Sequence, residues 1–247
     1  MRGWKRGVMI AVMREWRAPL VWGGLLIAFC LAMGELEPFY RLIEPDSRRV
    51  IYDRADFLTL LWRHLTVVGI ASFFAIMIGV TAAVLVTRPA GRDFLPLVAQ
   101  LASMGQTFPP VAVLALAVPV LGFGGVPIVV ALLLYGLLPI VRNTLAGLEG
   151  IDASVLESAR GMGMGRMQIL AQVELPLAFP VILAGIRTSV TVNIATAALG
   201  ATVGASNLGD PIISGIVNAN TAYVVQGALL IGLLALTVDS LFARLQP

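Results

Sequence analysis

The chain has 247 residues, of which 58% are hydrophobic and 13% charged, and its mean hydropathy is +0.91. Soluble domains average about a quarter charged residues, so this composition excludes an ordinary water-soluble fold and points to a polytopic membrane protein. The net charge of +3 and pI near 9.5 do not indicate nucleic acid, because the basic residues stand in short clusters flanking apolar runs, as membrane topology demands.

Six apolar runs follow in chain order, each close to the roughly 20 residues that cross about 30 Å of hydrocarbon. The first, Pro19 to Gly34, follows Arg2, Lys5, Arg6, Arg14 and Arg17. No small-residue cleavage site succeeds it, so it reads as a retained helix. Cys30 is the sole cysteine and lies inside this run, which predicts a packing role and allows no disulfide within the chain. Glu35 to Leu58 carries six acids against four arginines and reads as an outward-facing segment. His64, beside Trp62 and Arg63, is expected at the outer membrane boundary as an interfacial anchor rather than a metal or catalytic group. The remaining runs are about Leu65 to Val86, Leu95 to Val118, Val126 to Val141, Leu177 to Leu199 and Tyr223 to Phe242.

Arg88, Arg92, Arg142, Arg160, Arg166 and Arg244 join the N-terminal cluster on one side if the count of six holds. The positive-inside rule makes that side the cytoplasm, with both termini in it. The organisation expected is a segment 1–60 holding the N-terminus, first span and outer loop, then a core over 61–247 with a cytoplasmic loop at about 142–176.

That loop contains ESARGMGMGRMQILAQVELP, Glu157 to Pro176. Asp152 is a candidate N-cap for a short helix through about Met162, with Val155, Leu156, Ala159 and Met162 on one face. Gly161, Gly163 and Gly165 permit a bend, RMQILAQVEL resumes as a second short helix, and Pro176 favours a new helix start. These features alone fit an ordinary interfacial helix as well as a hinged surface helix tied stiffly to the fifth span. GMGMG is not preceded by a strand, and with Lys5 as the only lysine no nucleotide-binding G-x-x-x-x-G-K-[ST] loop exists.

Several spans hold groups that are costly in lipid. Thr107, Pro109 and Pro110 interrupt the third, with Pro119, Pro127 and Pro139 beyond, and such breaks predict discontinuous helices around a cavity. Arg187 lies eleven residues after Pro176, roughly 16 Å along a helix. It is followed by Thr188, Ser189, Thr191, Asn193 and Thr196. A pathway-facing stripe and a structural pairing of Arg187 with an acid such as Asp239 both remain open. GATVGASNLGDPIISGIVNANT, after the fifth span, reads as a bent or re-entrant outer segment, where Asp210 caps a short helix or meets a partner. The candidate pathway or gate residues are therefore Thr107, Pro109, Arg187, Thr191, Asn193, Asn207 and Asp210.

Glu157, Ala159, Gly163, Leu175 and Pro176 stand in the order and spacing of the EAA loop of ABC importer permeases, which the segment resembles. Ser158 and Val173 depart from the usual residues by small changes. The resemblance implies that Glu157, Ser158, Ala159, Gly161, Gly163, Val173, Leu175 and Pro176 form a coupling element that docks into an ATPase subunit. The stretches GQTFPPVAVLALAVPVLGFG, LLPIVRNTLAGL, LPLAFPVILAGIRTSV and GASNLGDPIISGI look like permeases for glycine betaine, carnitine and choline. This likeness covers about residues 60 to 245.

The resemblance implies an all-α type I importer transmembrane domain in the inner membrane, with about six helices. Its implied partners are two cytoplasmic ABC ATPase subunits, a second permease subunit that is the same or a related chain, a periplasmic substrate-binding protein and membrane lipid. No cofactor or metal is expected on this chain, since ATP and Mg would be used by the ATPase. Within that class, another small zwitterion such as an amino acid is the alternative cargo. The span aromatics Phe73, Phe74, Phe108, Phe123, Tyr135 and Phe179 form no evident cation–π box. An ion-coupled secondary transporter would need intramembrane carboxylates, and only Asp239 lies clearly within a span. An intramembrane enzyme would need a buried Ser–His or aspartate pair, which the sequence does not offer.

Overall fold

The computed structural model describes residues 16–245, and every regular element among them is helical. The basic cluster Arg2, Lys5, Arg6 and Arg14 lies outside the described residues. The helices are α1 Arg17–Ala32, α2 Glu37–Ile43, α3 Phe57–Val86, α4 Leu95–Thr107, α5 Pro110–Leu121, α6 Gly125–Glu149, α7 Ala153–Gly161, α8 Arg166–Ile169, α9 Leu175–Thr196, α10 Asp210–Val217 and α11 Thr221–Leu245. Short 3₁₀ turns precede α2 and α4 and follow α9, and a π turn, Leu170–Glu174, joins α8 to α9.

Among the described residues five helical segments are long and apolar enough to cross a membrane: Arg17–Ile43, Phe57–Val86, Gly125–Glu149, Arg166–Val203 and Thr221–Leu245. The predicted third span is not straight. It breaks at Phe108–Pro109 into α4 and α5, bent by 96°. Pro109 and Pro110 are the reason: Pro109 forces Phe108 out of the helical region, to ψ 139°, and neither proline has an N–H to extend α4. Two contacts place the ends of this broken pair on opposite sides. Arg88, just before α4, pairs with Glu174 at the inner root of α9, 2.6 Å away. Gly124, just after α5, donates its N–H to the Val203 carbonyl beyond the outer end of α9, 2.7 Å away. The pair therefore completes a sixth crossing.

At the centre, α3, α6 and α9 pack on small residues. A Cβ on Gly136 would lie 2.7 Å from Ser189 Oγ, and one on Gly185 would lie 2.6 Å from Asn143 Cβ and 2.7 Å from the Pro139 carbonyl oxygen. Only glycine allows these backbones to approach so closely. Helices α1 and α11 pack together on the flank, and Cys30 is buried there. The largest hydrophobic cluster, including Tyr40, Leu60, Leu114, Ile128, Ile194 and Leu230, fills the outer half. The inner half has two smaller clusters, one around Ala83, Ala102 and Val141 and one around Leu148, Ala178 and Ile182.

Backbone groups freed at irregular points find side-chain partners. Pro139 cannot donate to Tyr135 C=O, four residues back, and that carbonyl accepts from Gln106 Nε2 at 2.9 Å. The Tyr135 hydroxyl in turn donates to the Phe108 carbonyl at the break. Of the other prolines, Pro119 and Pro139 lie inside continuous helices and Pro127 in the first turn of α6. On the outer side, Gln226 is fully buried, accepting from Tyr52 N–H (3.0 Å) and donating to Val50 C=O (2.6 Å). This bolts the loop before α3 to α11.

His64 is not an interfacial anchor. Helix α3 starts at Phe57, eight residues before the expected span, so His64 lies two turns inside it and is fully buried. Its Nε2 is 3.0 Å from the Ile194 carbonyl of α9 and its Nδ1 3.4 Å from Asn207 Oδ1. Its neighbours Trp62 and Arg63 do stay exposed.

Gln226→Leu is expected to leave Val50 C=O and Tyr52 N–H without their partner and to cost about 2 kcal/mol. Thermal unfolding of the purified protein in detergent measures this, and an unchanged midpoint would contradict the role assigned to the amide.

Candidate coupling and translocation sites

Helix α7 is built as its sequence suggests at the start and differently at the end. Asp152 caps it, its Oδ1 accepting from Ser154 N–H at 2.8 Å. That bond favours the carboxylate, so the Asp152 carboxyl is held below its usual range. Ala159 is buried and Leu156 half-buried, while Glu157, Ser158, Arg160 and Gly161 face out. Met162 does not share the inner face. The helix ends at Gly161, so Met162 belongs to the turn and is 74% exposed.

The turn is a Schellman motif centred on Gly163. Met164 N–H reaches the Ala159 carbonyl at 3.2 Å, Gly163 N–H reaches the Arg160 carbonyl at 2.9 Å, and Gly163 has φ 78°. Of the three alternating glycines, Gly163 alone uses a backbone conformation that a side chain would strain. Gly165 instead caps α8, its N–H donating to Gln168 Oε1 at 2.8 Å.

The expected separate second helix and fresh start at Pro176 are not found. Helix α8 runs through the π turn directly into α9, with Leu175 N–H reaching back five residues to the Leu170 carbonyl. The proline is again the physical reason. An α-turn would press the Pro176 ring against the carbonyl four residues earlier, and the wider turn relieves that contact without ending the helix. The second helix of the loop and the fifth span are thus one continuous rod from Arg166.

Val173 and Leu175 are half-buried in this rod, and Pro176 is exposed. The rod's Arg166, Ile169 and Glu174 line, with Leu156 and Arg160 of α7, a groove of about 810 Å³ that also takes in Arg88, Arg92 and Glu149, and Val173, Leu175 and Pro176 lie outside it. The ion pair of Arg88 with Glu174, 29% and 13% exposed, fixes the end of α3 to the root of the rod. Sequence reading missed both partners. Each is a charge beside an apolar run, and only the fold reveals that the two run ends meet.

The candidate pathway residues do not form one site. Thr107 is exposed at the end of α4, bonded to the Ser103 carbonyl at 3.1 Å, and Pro109 is exposed at the break. Asn193 is fully buried, donating to Ser72 Oγ at 3.3 Å beside Gly136. Asn207 is also fully buried and organises the outer turn, donating to Ala197 and Ala205 carbonyls and accepting from Gly209 N–H at 2.6 Å.

The segment after α9 does bend back, through a 3₁₀ turn and this asparagine, into α10. Asp210 does not cap α10. Its carboxylate accepts from Ser206 Oγ and Asn207 N–H in the turn before it. It also borders an outer pocket of about 390 Å³ with Tyr52, Arg54, Ser214 and Asn218. Arg187 is paired with Asp239 of α11, at 2.6 and 2.7 Å, one helical turn from half-buried Thr191.

Residues 75–247 match the family described as binding-protein-dependent transport system inner membrane component. The chain is 45% identical to the osmoprotectant import permease protein OsmY of Salmonella typhimurium, covering 78% of this chain and 84% of that one. It is 38% identical to the carnitine transport permease protein OpuCB of Listeria monocytogenes, covering 77% and 87%. It is 37% identical to the choline transport system permease protein OpuBB of Bacillus subtilis, covering 76% and 86%. An inward-facing structure of the MetNI methionine ABC transporter shares the fold, with a TM-score of 0.69 and 24% identity over 76% of this chain and 94% of that one.

Two outcomes are expected from this geometry. Gly163→Ala places a side chain at positive φ, costs roughly 1–2 kcal/mol locally and frays the end of α7. Hydrogen exchange should show faster exchange at the Gly163 and Met164 amides, and unchanged protection there would refute the assigned turn. The Asp152 cap behaves as a depressed carboxylate: it contributes fully above the ordinary aspartate pKa of about 3.9 and is lost as pH falls through its lower folded value. Ser154 amide protection should therefore persist down to about pH 4 in the wild type, and should be absent throughout in Asp152→Ala.

Proposed function

This chain belongs to the family of binding-protein-dependent transport system inner membrane components, and from that premise we propose that it carries a quaternary ammonium osmoprotectant, such as glycine betaine, across the inner membrane. The family's partners are an ATPase and a substrate-binding protein; a second permease subunit, the same or a related chain, completes our reading of the assembly. This chain binds no cofactor in that reading, and ATP and Mg act on the ATPase. The cargo rests on the relatives, whose names specify osmoprotectants, carnitine and choline.

One observation carries the mechanism: the unbroken helical path from the turn at Gly163–Gly165 through the π turn into α9. A force applied by the ATPase to α7 acts on α8 through a turn closed by two backbone bonds, and α8 has no flexible joint before the centre of the membrane. Glu157 and Ser158 face out from α7 for docking, while Ala159 anchors its inner side. The Arg88–Glu174 pair makes α3 move with the rod. Transport then follows as a change in packing among α3, α6 and α9, the helices held together by small residues.

The test is ATP hydrolysis by the importer in proteoliposomes, with partner chains taken from the adjacent genes. Binding protein loaded with glycine betaine should stimulate hydrolysis. Glu157→Ala and Gly163→Pro should each reduce that stimulation about tenfold, within the range of ordinary coupling energies, while the spans still insert. Stimulation that survives both changes would remove the docking assignment. Coupling without any response to glycine betaine, choline or carnitine would replace the cargo with another small zwitterion and leave the transporter reading in place.

A further inference from the structure

Arg187 and Asp239 meet as a bidentate pair through one guanidinium edge, Nε to Oδ1 at 2.6 Å and Nη2 to Oδ2 at 2.7 Å, between α9 and α11. Both lie on membrane-spanning segments, yet the side chains keep 29% and 38% of their area exposed. Exposure of that size decides between settings. A charge pair open to acyl chains is strongly disfavoured, so the open side of this pair faces the second permease subunit of the proposed assembly or a polar path beside it. A polar path is the setting that suits it. The neighbours agree: Thr188 is exposed beside Arg187, and Ser240 is half-buried beside Asp239. One turn on, the Thr191 hydroxyl is buried without a partner among the described residues.

We propose that the Arg187–Asp239 pair is an intramembrane subsite for the transported zwitterion, which binds by exchanging partners with it. This rests on the osmoprotectant reading above. The solute carboxylate takes the place of Asp239 on the guanidinium, whose planar donors match any carboxylate. The quaternary ammonium, which has no N–H to donate, needs only the charge of the released Asp239 carboxylate. Net charge in the membrane is unchanged at each stage. When the solute leaves, the pair closes on itself, so neither charge is stranded and binding stays weak enough for release.

The experiment uses the complete importer in proteoliposomes with Cys30→Ala, which removes the native thiol, and Thr188→Cys beside the pair. The probe is a water-borne methanethiosulfonate bearing a trimethylammonium group, applied with and without nucleotide. The cysteine should react in at least one state. Glycine betaine at about ten times its half-saturating concentration should slow the reaction about tenfold, as mass action requires for a shared site. Adding Arg187→Gln should preserve labelling and abolish protection. The double change Arg187→Met with Asp239→Leu removes both members of the pair together, which is milder than stranding one of them, and should abolish protection as well.

No labelling in any state, labelling that betaine does not slow, or protection surviving the double change would each overturn the subsite. ATPase stimulation in the same vesicles separates the two levels. Stimulation by betaine without protection sinks only the subsite, whereas neither stimulation nor protection removes the betaine reading and the subsite with it.

Discussion

In hydrocarbon a backbone N–H or C=O has no water to turn to, so every departure from helical bonding must be met from inside the protein. This chain departs often, and its polar side chains are spent where it does. Gln106 takes the carbonyl that Pro139 leaves open, and Tyr135 takes the one exposed at the Phe108–Pro109 break. Asn207 holds the outer turn after α9, and His64 reaches one of the last carbonyls of that helix. The Pro176 problem is solved without any side chain, by a change of helical pitch. Asn207, a pathway candidate when read in one dimension, is part of the mortar that lets bent helices exist in lipid.

The same constraint produces an uneven body. The outer half is thick with buried apolar side chains, and Gln226 and Asn220 tie the outer loop to the head of α11. The inner half is held by two small clusters and by the Arg88–Glu174 pair. A rod that enters the membrane at its loosely packed end and finishes at its firmly packed end is a lever with a natural pivot. In the coupling proposed above, movement imposed from the cytoplasm would be largest where the fewest contacts have to be broken.

How far the sequence can be read is clear at particular residues. The six crossings, their orientation and the N-cap at Asp152 follow from hydropathy, arginine placement and local hydrogen-bond chemistry, all of which act over a few residues. The pairing of Arg187 with Asp239 was one of two open readings, because a costly intramembrane charge demands a partner and only one acid lay within a span. Three features could not be read. His64 was assigned to the boundary since hydropathy places span ends by apolarity and α3 extends two turns past its apolar stretch. The prolines announce the break at Pro109 but not its right angle or the Tyr135 hydroxyl that serves the Phe108 carbonyl from twenty-seven residues away, and Arg88 and Glu174 meet only because α3 and α9 end at the same level. Local rules locate the costly groups, and tertiary packing decides which of them satisfy one another.

The π turn at Leu170–Glu174 has a consequence for orientation as well as for continuity. It holds one residue more than an α-turn of the same rise, and each residue of an α-helix corresponds to about 100° of rotation. The turn therefore sets the azimuth at which α7 is presented around the axis of the fifth span. Loss of a single residue there would leave every crossing intact and turn Glu157 and its neighbours to face a different quarter of the cytoplasm. In the assembly proposed above, that one residue would act as the index mark that aligns the membrane part with its motor.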